Sequence, residues 1–141
     1  MSEAAPITGG CLCGAVRTAI VAPPLAVRTC WRRYCQYIAS GSGTVNATFL
    51  AEAVTIEGAT SDFRSIADSG SIMHRRFCPV CGTHLFSTAE QRPRVIVVRV
   101  GTLDDPGLAP PVMTIWAGRA PGWAWIDEDL PIAEGPSPPV A

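Results

Sequence analysis

The sequence predicts a mainly β fold, and two kinds of pattern support this prediction. Short segments rich in β-branched or aromatic residues recur along the chain and are separated by Gly, Ser, Asp or Pro, as in strands joined by turns. Two close cysteine pairs, in CLCG and FCPVCG, indicate a metal site that would hold these strands together. At 141 residues the chain has the length of one domain. We expect residues 1–141 to form it, with a core over about 8–132 and flexible ends at 1–7 and 133–141.

Charge and hydropathy exclude several classes of function. The net charge is −1 and no block of like charges stands out, which argues against a nucleic-acid partner or an anionic membrane surface. All eleven basic residues are arginine, so chemistry that needs a lysine, such as a Schiff base on the protein, is excluded. The apolar runs are far shorter than a membrane span. The opening MSEAAPITGG has no basic region followed by an apolar stretch, so we expect a cytoplasmic protein without a secretory signal.

The first half of the chain is predicted to contain a hairpin and a short helix. The segment from Gly9 to Val21 alternates apolar and small polar residues and is interpreted as a strand or hairpin. Cys11 and Cys13 would share one face of it, because side chains two positions apart point the same way along a strand. A short helical turn is predicted from Trp31 to Ala39, closed by the GSG sequence that follows.

The rest of the chain is predicted to be strands and turns. The strand candidates are TVNATFL, VTIEG, SIMHRRF, HLFST and RVIVVRV, with VMTIWAG further on. The Trp-rich stretch PGWAWIDEDLP is expected to pack across the sheet.

Four of the six cysteines form a complete ligand set for one zinc ion. In FCPVCGTHLF, residues 77 to 86, Cys78 and Cys81 are separated by two residues and followed by Gly82, which suits the tight turn of a zinc knuckle. Cys11 and Cys13 supply two more thiolates, and a site with four thiolates is structural because no position remains for a substrate. A redox C-x-x-C would lead from a strand into a helix, whereas GTHLFST is typical of a strand.

The chain carries five motifs in this order: GGCLCGAVR, the cysteine-containing segment that ends in ASGSG, FCPVCGTHLF, GTLDDP and the closing WIDEDLP. In these motifs, over about residues 8 to 132, it resembles the glutathione-dependent formaldehyde-activating enzymes. The resemblance implies an Mss4-like fold of antiparallel sheets built around a structural zinc ribbon-type site. It also implies a carbon–sulfur lyase that acts on an adduct of glutathione or another small thiol. A thiol or small-molecule binding module is the alternative, and a structural or interaction role is disfavoured because no basic tail accompanies the domain.

The resemblance implies a second, catalytic zinc, held in the family by a C-x-C-x-x-C segment. In TCWRRYC, Cys30 and Cys35 match the first and third ligands, and Arg32 stands where the middle cysteine belongs. A guanidinium has no lone pair to donate to a metal, so the second site is predicted to be incomplete. Three interpretations stay open: His74 or His84 supplies a further ligand, the two cysteines form a disulfide, or both remain free thiols.

The remaining candidates are weaker. Arg32, Arg33 and Tyr34 can bind an anionic group such as a carboxylate of glutathione, or they can form a solvated loop in which an arginine stacks on Trp31 or Tyr34. The tryptophans Trp116, Trp123 and Trp125 can line a pocket or pack in the core. A solvated acidic turn is the expectation for Asp127, Glu128 and Asp129.

Overall fold

The computed structural model describes residues 5–136. In that range it contains ten strands and one α-helix, which confirms the mainly β class. The strands are β1 Ile7–Gly10, β2 Arg17–Ile20, β3 Ala26–Cys30, β4 Thr44–Leu50, β5 Val54–Glu57, β6 Ser61–Ile66, β7 Ile72–Phe77, β8 His84–Ala89, β9 Val95–Arg99 and β10 Met113–Ile115. The helix α1 spans Arg33–Ile38, and short 3₁₀ helices span Ala51–Ala53, Val100–Thr102, Pro106–Leu108 and Ala117–Arg119. Over the same residues, no helix is long and apolar enough to cross a membrane.

The strands form two sheets. The larger has seven strands in the order β10-β3-β4-β9-β8-β7-β6, and the smaller has three in the order β1-β2-β5. All strand pairs are antiparallel except β10 with β3, which is parallel. The large sheet is therefore antiparallel apart from this one pair.

One face of the large sheet is apolar and forms the core with the small sheet. In β4 the sequence TVNATFL alternates, so that Ala47 and Phe49 point to this face and are completely buried. Val98 of β9 and Phe86 of β8 lie beside them, and Ile20 of the small sheet joins the same cluster. Burying a side chain of this size stabilises the fold by about 1.5–3 kcal/mol, so this cluster is the main apolar contribution to stability.

The opposite face of the large sheet is polar. Arg28 of β3 pairs in register with Asn46 of β4, which pairs in turn with Arg99 of β9. One row along, Arg75 of β7 pairs with Ser87 of β8. These residues share a face because side chains alternate along each strand and the registers align them across the sheet.

The predicted elements of the first half are largely confirmed. The hairpin from Gly9 to Val21 is β1 and β2, and the predicted turn of helix is α1. Cys11 and Cys13, however, lie in the loop between the two strands and not on a strand face. The strands β3 and β6 were not among the predicted elements.

The C-terminal stretch differs from the prediction. Trp123 and Trp125 are 74% and 80% exposed, so they do not pack across the sheet and do not belong to the core. A flexible tail was expected from residue 133 onward. In the structure the backbone of Ala133 and Gly135 hydrogen-bonds to the backbone of Thr114 and Trp116, so the chain is still held in place at these residues. At the other end Ile7 already belongs to β1. Residues 1–4 and 137–141, which the prediction also made flexible, lie outside the described residues.

Candidate metal centre and the cavity beside Cys30 and Cys35

Two hairpin turns carry the four predicted metal ligands. Cys11 and Cys13 lie in the turn between β1 and β2, and Cys78 and Cys81 lie in the turn between β7 and β8. The register of β7 and β8 shifts between Arg76 and Phe77, just before the second turn. Such an irregularity re-aims the chain and brings the knuckle toward the first hairpin.

The second turn has the backbone geometry of a metal knuckle. Gly82 has a φ of +77°, the left-handed conformation that glycine adopts without a steric penalty, which confirms its predicted role. Its N–H donates to the carbonyl oxygen of Cys78 at 2.9 Å. The N–H groups of Val80 and Cys81 point at the Cys78 sulfur, at 3.3 and 3.5 Å. These donors stabilise negative charge on that sulfur.

The four sulfur atoms converge on one point. All of them lie within 4.8 Å of one another. The Cys11 and Cys13 sulfurs are 3.6 Å apart, and the Cys13 and Cys78 sulfurs are 3.7 Å apart. A tetrahedral zinc with Zn–S bonds of about 2.3 Å requires sulfur separations of roughly 3.8 Å. The cluster therefore has the dimensions and the donor set to hold a metal ion.

The thiols of this cluster perturb one another. The hydroxyl and backbone of Thr83 lower the pKa of Cys81 to about 5. For Cys13, a backbone hydrogen bond at Ala15 lowers the pKa, but the neighbouring Cys11 thiol and burial raise it to about 11. Four thiolates this close repel each other strongly, so the fully ionised cluster needs a cation at its centre.

Cys30 and Cys35 do not belong to this cluster and lie on the polar side of the large sheet. Cys30 ends β3 and Cys35 lies in α1, and both are buried. The GSG sequence brings β4 back against them, and Gly43 allows a close approach there. A Cβ at Gly43 would come within 3.0 Å of the Cys30 carbonyl oxygen. The side chain of Gln36 fixes the loop by donating to the carbonyl oxygens of Trp31 and Arg119, at 2.8 and 3.0 Å.

Arg32 packs against an aromatic ring that the sequence did not indicate. Its guanidinium carbon lies 4.9 Å from the centre of the Trp116 ring, and not over Trp31 or Tyr34 as predicted. The Tyr34 ring is instead covered by Arg75, at 4.1 Å. The Nε atom of Arg32 is buried and has no hydrogen-bond partner among the described residues.

Neither histidine completes a site with Cys30 and Cys35. His74 lies between Asp62 and Glu90, 2.6 Å from a carboxylate oxygen of each, and these hydrogen bonds raise its pKa. His84 packs on the Phe77 ring, with 5.4 Å between the ring centres. Over residues 5–136 the one group of three or more potential metal ligands is the four-cysteine cluster. All six cysteines are free, so the structure contains no disulfide between Cys30 and Cys35.

The two buried thiols are electrostatically unequal. A hydrogen bond from Cys30 lowers the pKa of Cys35 to about 6, opposed by burial and assisted by the Thr44 hydroxyl and the charges of Arg99 and Arg32. The same hydrogen bond and burial raise the pKa of Cys30. The pair therefore favours one thiolate, on Cys35, held by a neighbouring thiol.

A cavity of about 220 Å³ opens beside these thiols. Its lining includes Cys30, Cys35 and five arginines, namely Arg28, Arg32, Arg75, Arg92 and Arg99. Among residues 5–136, no aspartate or glutamate lines it. Sequence reasoning found Arg32 and missed the other four. For Arg28, Arg75 and Arg99 the available signal was their position in strands that prove to be neighbours, on the same face as Asn46 and Ser87.

The comparisons with known proteins decide the family. The family model described as glutathione-dependent formaldehyde-activating enzyme matches residues 6–119. The chain belongs to this family. A relative in Halomonas elongata, named "Putative glutathione-dependent formaldehyde-activating enzyme", is 28% identical over 127 residues, which are 86% of this chain and 81% of that protein.

One solved structure has a fold similar to that of this chain. A crystal structure of a Rhodobacter sphaeroides protein superposes with a TM-score of 0.56 at 21% sequence identity. The superposition covers 70% of this chain and 88% of that one. At this identity the likeness concerns the fold alone.

Proposed function

We propose that this chain is a zinc-stabilised member of the family that binds a small thiol, such as glutathione or its adduct, without the carbon–sulfur lyase reaction. The observation that carries the proposal is the side chain at position 32. Arg32 occupies the place of a thiolate beside Cys30 and Cys35, and its guanidinium stacks on Trp116.

The structural zinc would be held by Cys11, Cys13, Cys78 and Cys81. Their sulfur separations and donors fit a tetrahedral ion, as described above. When bound, the zinc would supply structural stability and no chemistry, because four thiolates leave no position for a substrate.

The second zinc that the resemblance implies does not fit the residues present. Cys30 and Cys35 offer two sulfurs, and Arg32 offers a fixed positive charge in the same cavity. Two unit charges 4 Å apart interact by about 4 kcal/mol at an effective dielectric constant of 20, and a divalent ion doubles the repulsion.

A thiol ligand fits the cavity on chemical grounds. The two buried cysteines and the arginines surround a volume of about 220 Å³, which suits part of a small molecule. Glutathione carries a thiol and two carboxylates, and guanidinium groups bind carboxylates through paired hydrogen bonds. The binding site and the family relationship thus support the same class of ligand.

Calorimetry with the zinc-loaded protein tests this function. Glutathione is expected to bind with one site per chain and to bind more tightly than S-methylglutathione, which keeps the charges and blocks the thiol. Metal analysis should give one zinc per chain. If the two ligands bind with equal affinity, or if neither binds, the proposal that the protein recognises a thiol is wrong.

The second candidate is a carbon–sulfur lyase that works without the second zinc. The lowered pKa of Cys35 favours it, because the hydrogen bond from Cys30, with smaller contributions from Thr44, Arg99 and Arg32, stabilises a thiolate without a metal. Formaldehyde consumption in the presence of glutathione, above the uncatalysed rate and abolished by Cys35→Ala, would establish this candidate. Under the first proposal, both the unchanged protein and Cys35→Ala should consume formaldehyde only at the uncatalysed rate.

A further inference from the structure

The cavity beside Cys30 and Cys35 concentrates positive charge. Three of its arginines come from the polar face of the large sheet, Arg28 from β3, Arg99 from β9 and Arg75 from β7. Arg32 and Arg92 are added by the loops after β3 and before β9. Among the described residues that line the cavity, the anion beside Arg32, Arg75 and Arg99 is the Cys35 thiolate. These three arginines therefore give the cavity an excess of positive charge.

The arginines at the base of the cavity are held in place. Arg99 is 8% exposed and donates to the Asn46 side-chain oxygen at 2.6 Å. Arg75 is 5% exposed, donates to the Ser65 hydroxyl at 2.6 Å and lies over the Tyr34 ring. Side chains held in this way need no reordering when a ligand arrives, which favours binding.

Two donors in the cavity lack an acceptor. The Nε atoms of Arg99 and Arg32 are both buried and have no hydrogen-bond partner among the described residues. A buried donor without an acceptor is costly, and an unsatisfied charged group more so. The like charges of Arg75 and Arg99, and of Arg75 and Arg32, also repel each other. A ligand that brings negative charge would relieve this repulsion.

We propose that this cavity is a binding site for a small molecule bearing a doubly charged oxyanion group, either a phosphate or a pair of carboxylates, held by Arg99, Arg75 and Arg32. Guanidinium groups bind both kinds of group through paired N–H donors. This inference rests on the proposed function in one respect, namely that the ligand binds in this cavity.

Thermal unfolding and calorimetry of the zinc-loaded protein test the anion site, with inorganic phosphate and malonate as probes and sodium chloride at equal ionic strength as reference. We expect at least one probe to bind saturably and to raise the melting temperature more than chloride does. The stronger of the two probes identifies the group as phosphate or dicarboxylate.

Two variants locate the binding. Arg99→Gln keeps an amide donor near Asn46 and should weaken binding of the better probe by about ten- to hundredfold. Arg94→Gln makes the same charge change at an exposed residue that does not line the cavity, and should change affinity by less than about twofold. If Arg99→Gln does not fold, the half-buried Arg32→Gln replaces it with the same expectation.

Two results would overturn the anion site. One is that neither probe stabilises the protein beyond chloride, and the other is that Arg99→Gln or Arg32→Gln binds as tightly as the unchanged protein. The thiol proposal fails differently. In one outcome, phosphate or malonate still binds to the Cys30→Ser/Cys35→Ser double variant, while glutathione does not bind to the unchanged protein. That outcome would keep the anion site and refute the thiol proposal. If glutathione binds equally well to Arg99→Gln, to Arg32→Gln and to the unchanged protein, the thiol proposal is kept and the anion site is refuted.

Discussion

Arg32 lies over the indole ring of Trp116, with 4.9 Å between the guanidinium carbon and the ring centre. The two residues come from distant parts of the chain. Trp116 follows β10, its backbone has a φ of +56°, and its N–H donates to the Gly135 carbonyl oxygen at 2.9 Å. The C-terminal segment therefore provides the partner that holds the side chain at position 32, where the resemblance implies a zinc ligand.

The first prediction concerns this side chain. Arg32→Cys restores the pattern C-x-C-x-x-C and removes a fixed positive charge, so a second zinc should bind and the metal content should rise from one zinc per chain to two. Native mass spectrometry measures this. Arg33→Cys is the matched control, because Arg33 is exposed and does not line the cavity, and it should keep one zinc.

Two results would contradict the prediction for Arg32. Two zinc ions in the unchanged protein would mean that another residue completes the second site. One zinc in Arg32→Cys would mean that the backbone around Cys30 and Cys35 does not bring three sulfurs to a common point.

The second prediction concerns the four-cysteine cluster. Cys78→Ser should yield insoluble or unfolded protein, because Cys13 and Cys78 are 65 positions apart in the chain and the metal joins their two hairpins. Structural zinc binds with about 10–16 kcal/mol, which is comparable to the whole stability of a domain.

Circular dichroism and metal analysis check this, with Cys30→Ser as a control that alters a buried cysteine outside the cluster. That control should keep one zinc and melt cooperatively. A soluble, cooperatively melting Cys78→Ser protein without zinc would refute the structural role of the cluster.

The third prediction concerns the pH dependence of stability near His74. Hydrogen bonds to Asp62 and Glu90 raise the pKa of His74 above its ordinary value of 6.5. The stabilisation is then fully present below about pH 6.5, while both carboxylates are ionised, and is lost as the pH rises through the raised folded-state pKa. The melting temperature of the unchanged protein should exceed that of His74→Gln most at about pH 5.5 to 6, and the gap should close toward about pH 9.

Melting curves of the two proteins across this range measure the gap. His84 does not confuse the result, since burial and the charge of Arg99 lower its pKa and its contribution is common to both proteins. Arg64, the cross-strand partner of His74 on β6, is present in both proteins. A gap that is constant or that widens with pH would show that the two carboxylates do not bind protonated His74.

The fourth prediction concerns the exposed tryptophans. Because Trp123 and Trp125 are mostly exposed, the double change to alanine should alter the free energy of unfolding by no more than about 0.5 kcal/mol per residue. Phe49→Ala, at a fully buried position, should cost about 3–5 kcal/mol and serves as the positive control. Denaturant unfolding measures both. A loss of several kcal/mol in the double variant would place the two rings in a packed environment.

The sequence by itself determined the features that depend on local pattern. The β-branched residues of TVNATFL and RVIVVRV, between turn-forming residues, are enough to predict β4 and β9, since side chains branched at Cβ pack well on the pleated surface of a strand. The pairs Cys11 with Cys13 and Cys78 with Cys81 were assigned together because two knuckle-like pairs make one tetrahedral set. Gly82 was placed correctly because a turn of this tightness needs a residue without a Cβ. The substitution at Arg32 was also visible, since it interrupts a short motif.

Only the tertiary structure decided which distant side chains meet. Arg28, Arg75 and Arg99 lie on three separate strands, and nothing local shows that β3, β7 and β9 belong to one sheet with these side chains on the same face. Strand order and register set that arrangement, and both depend on pairings across the whole chain. The same reason explains the misplaced tryptophans. Trp123 and Trp125 are apolar enough for a core, but the core between the two sheets is already filled by β-strand side chains, so these rings remain exposed to solvent.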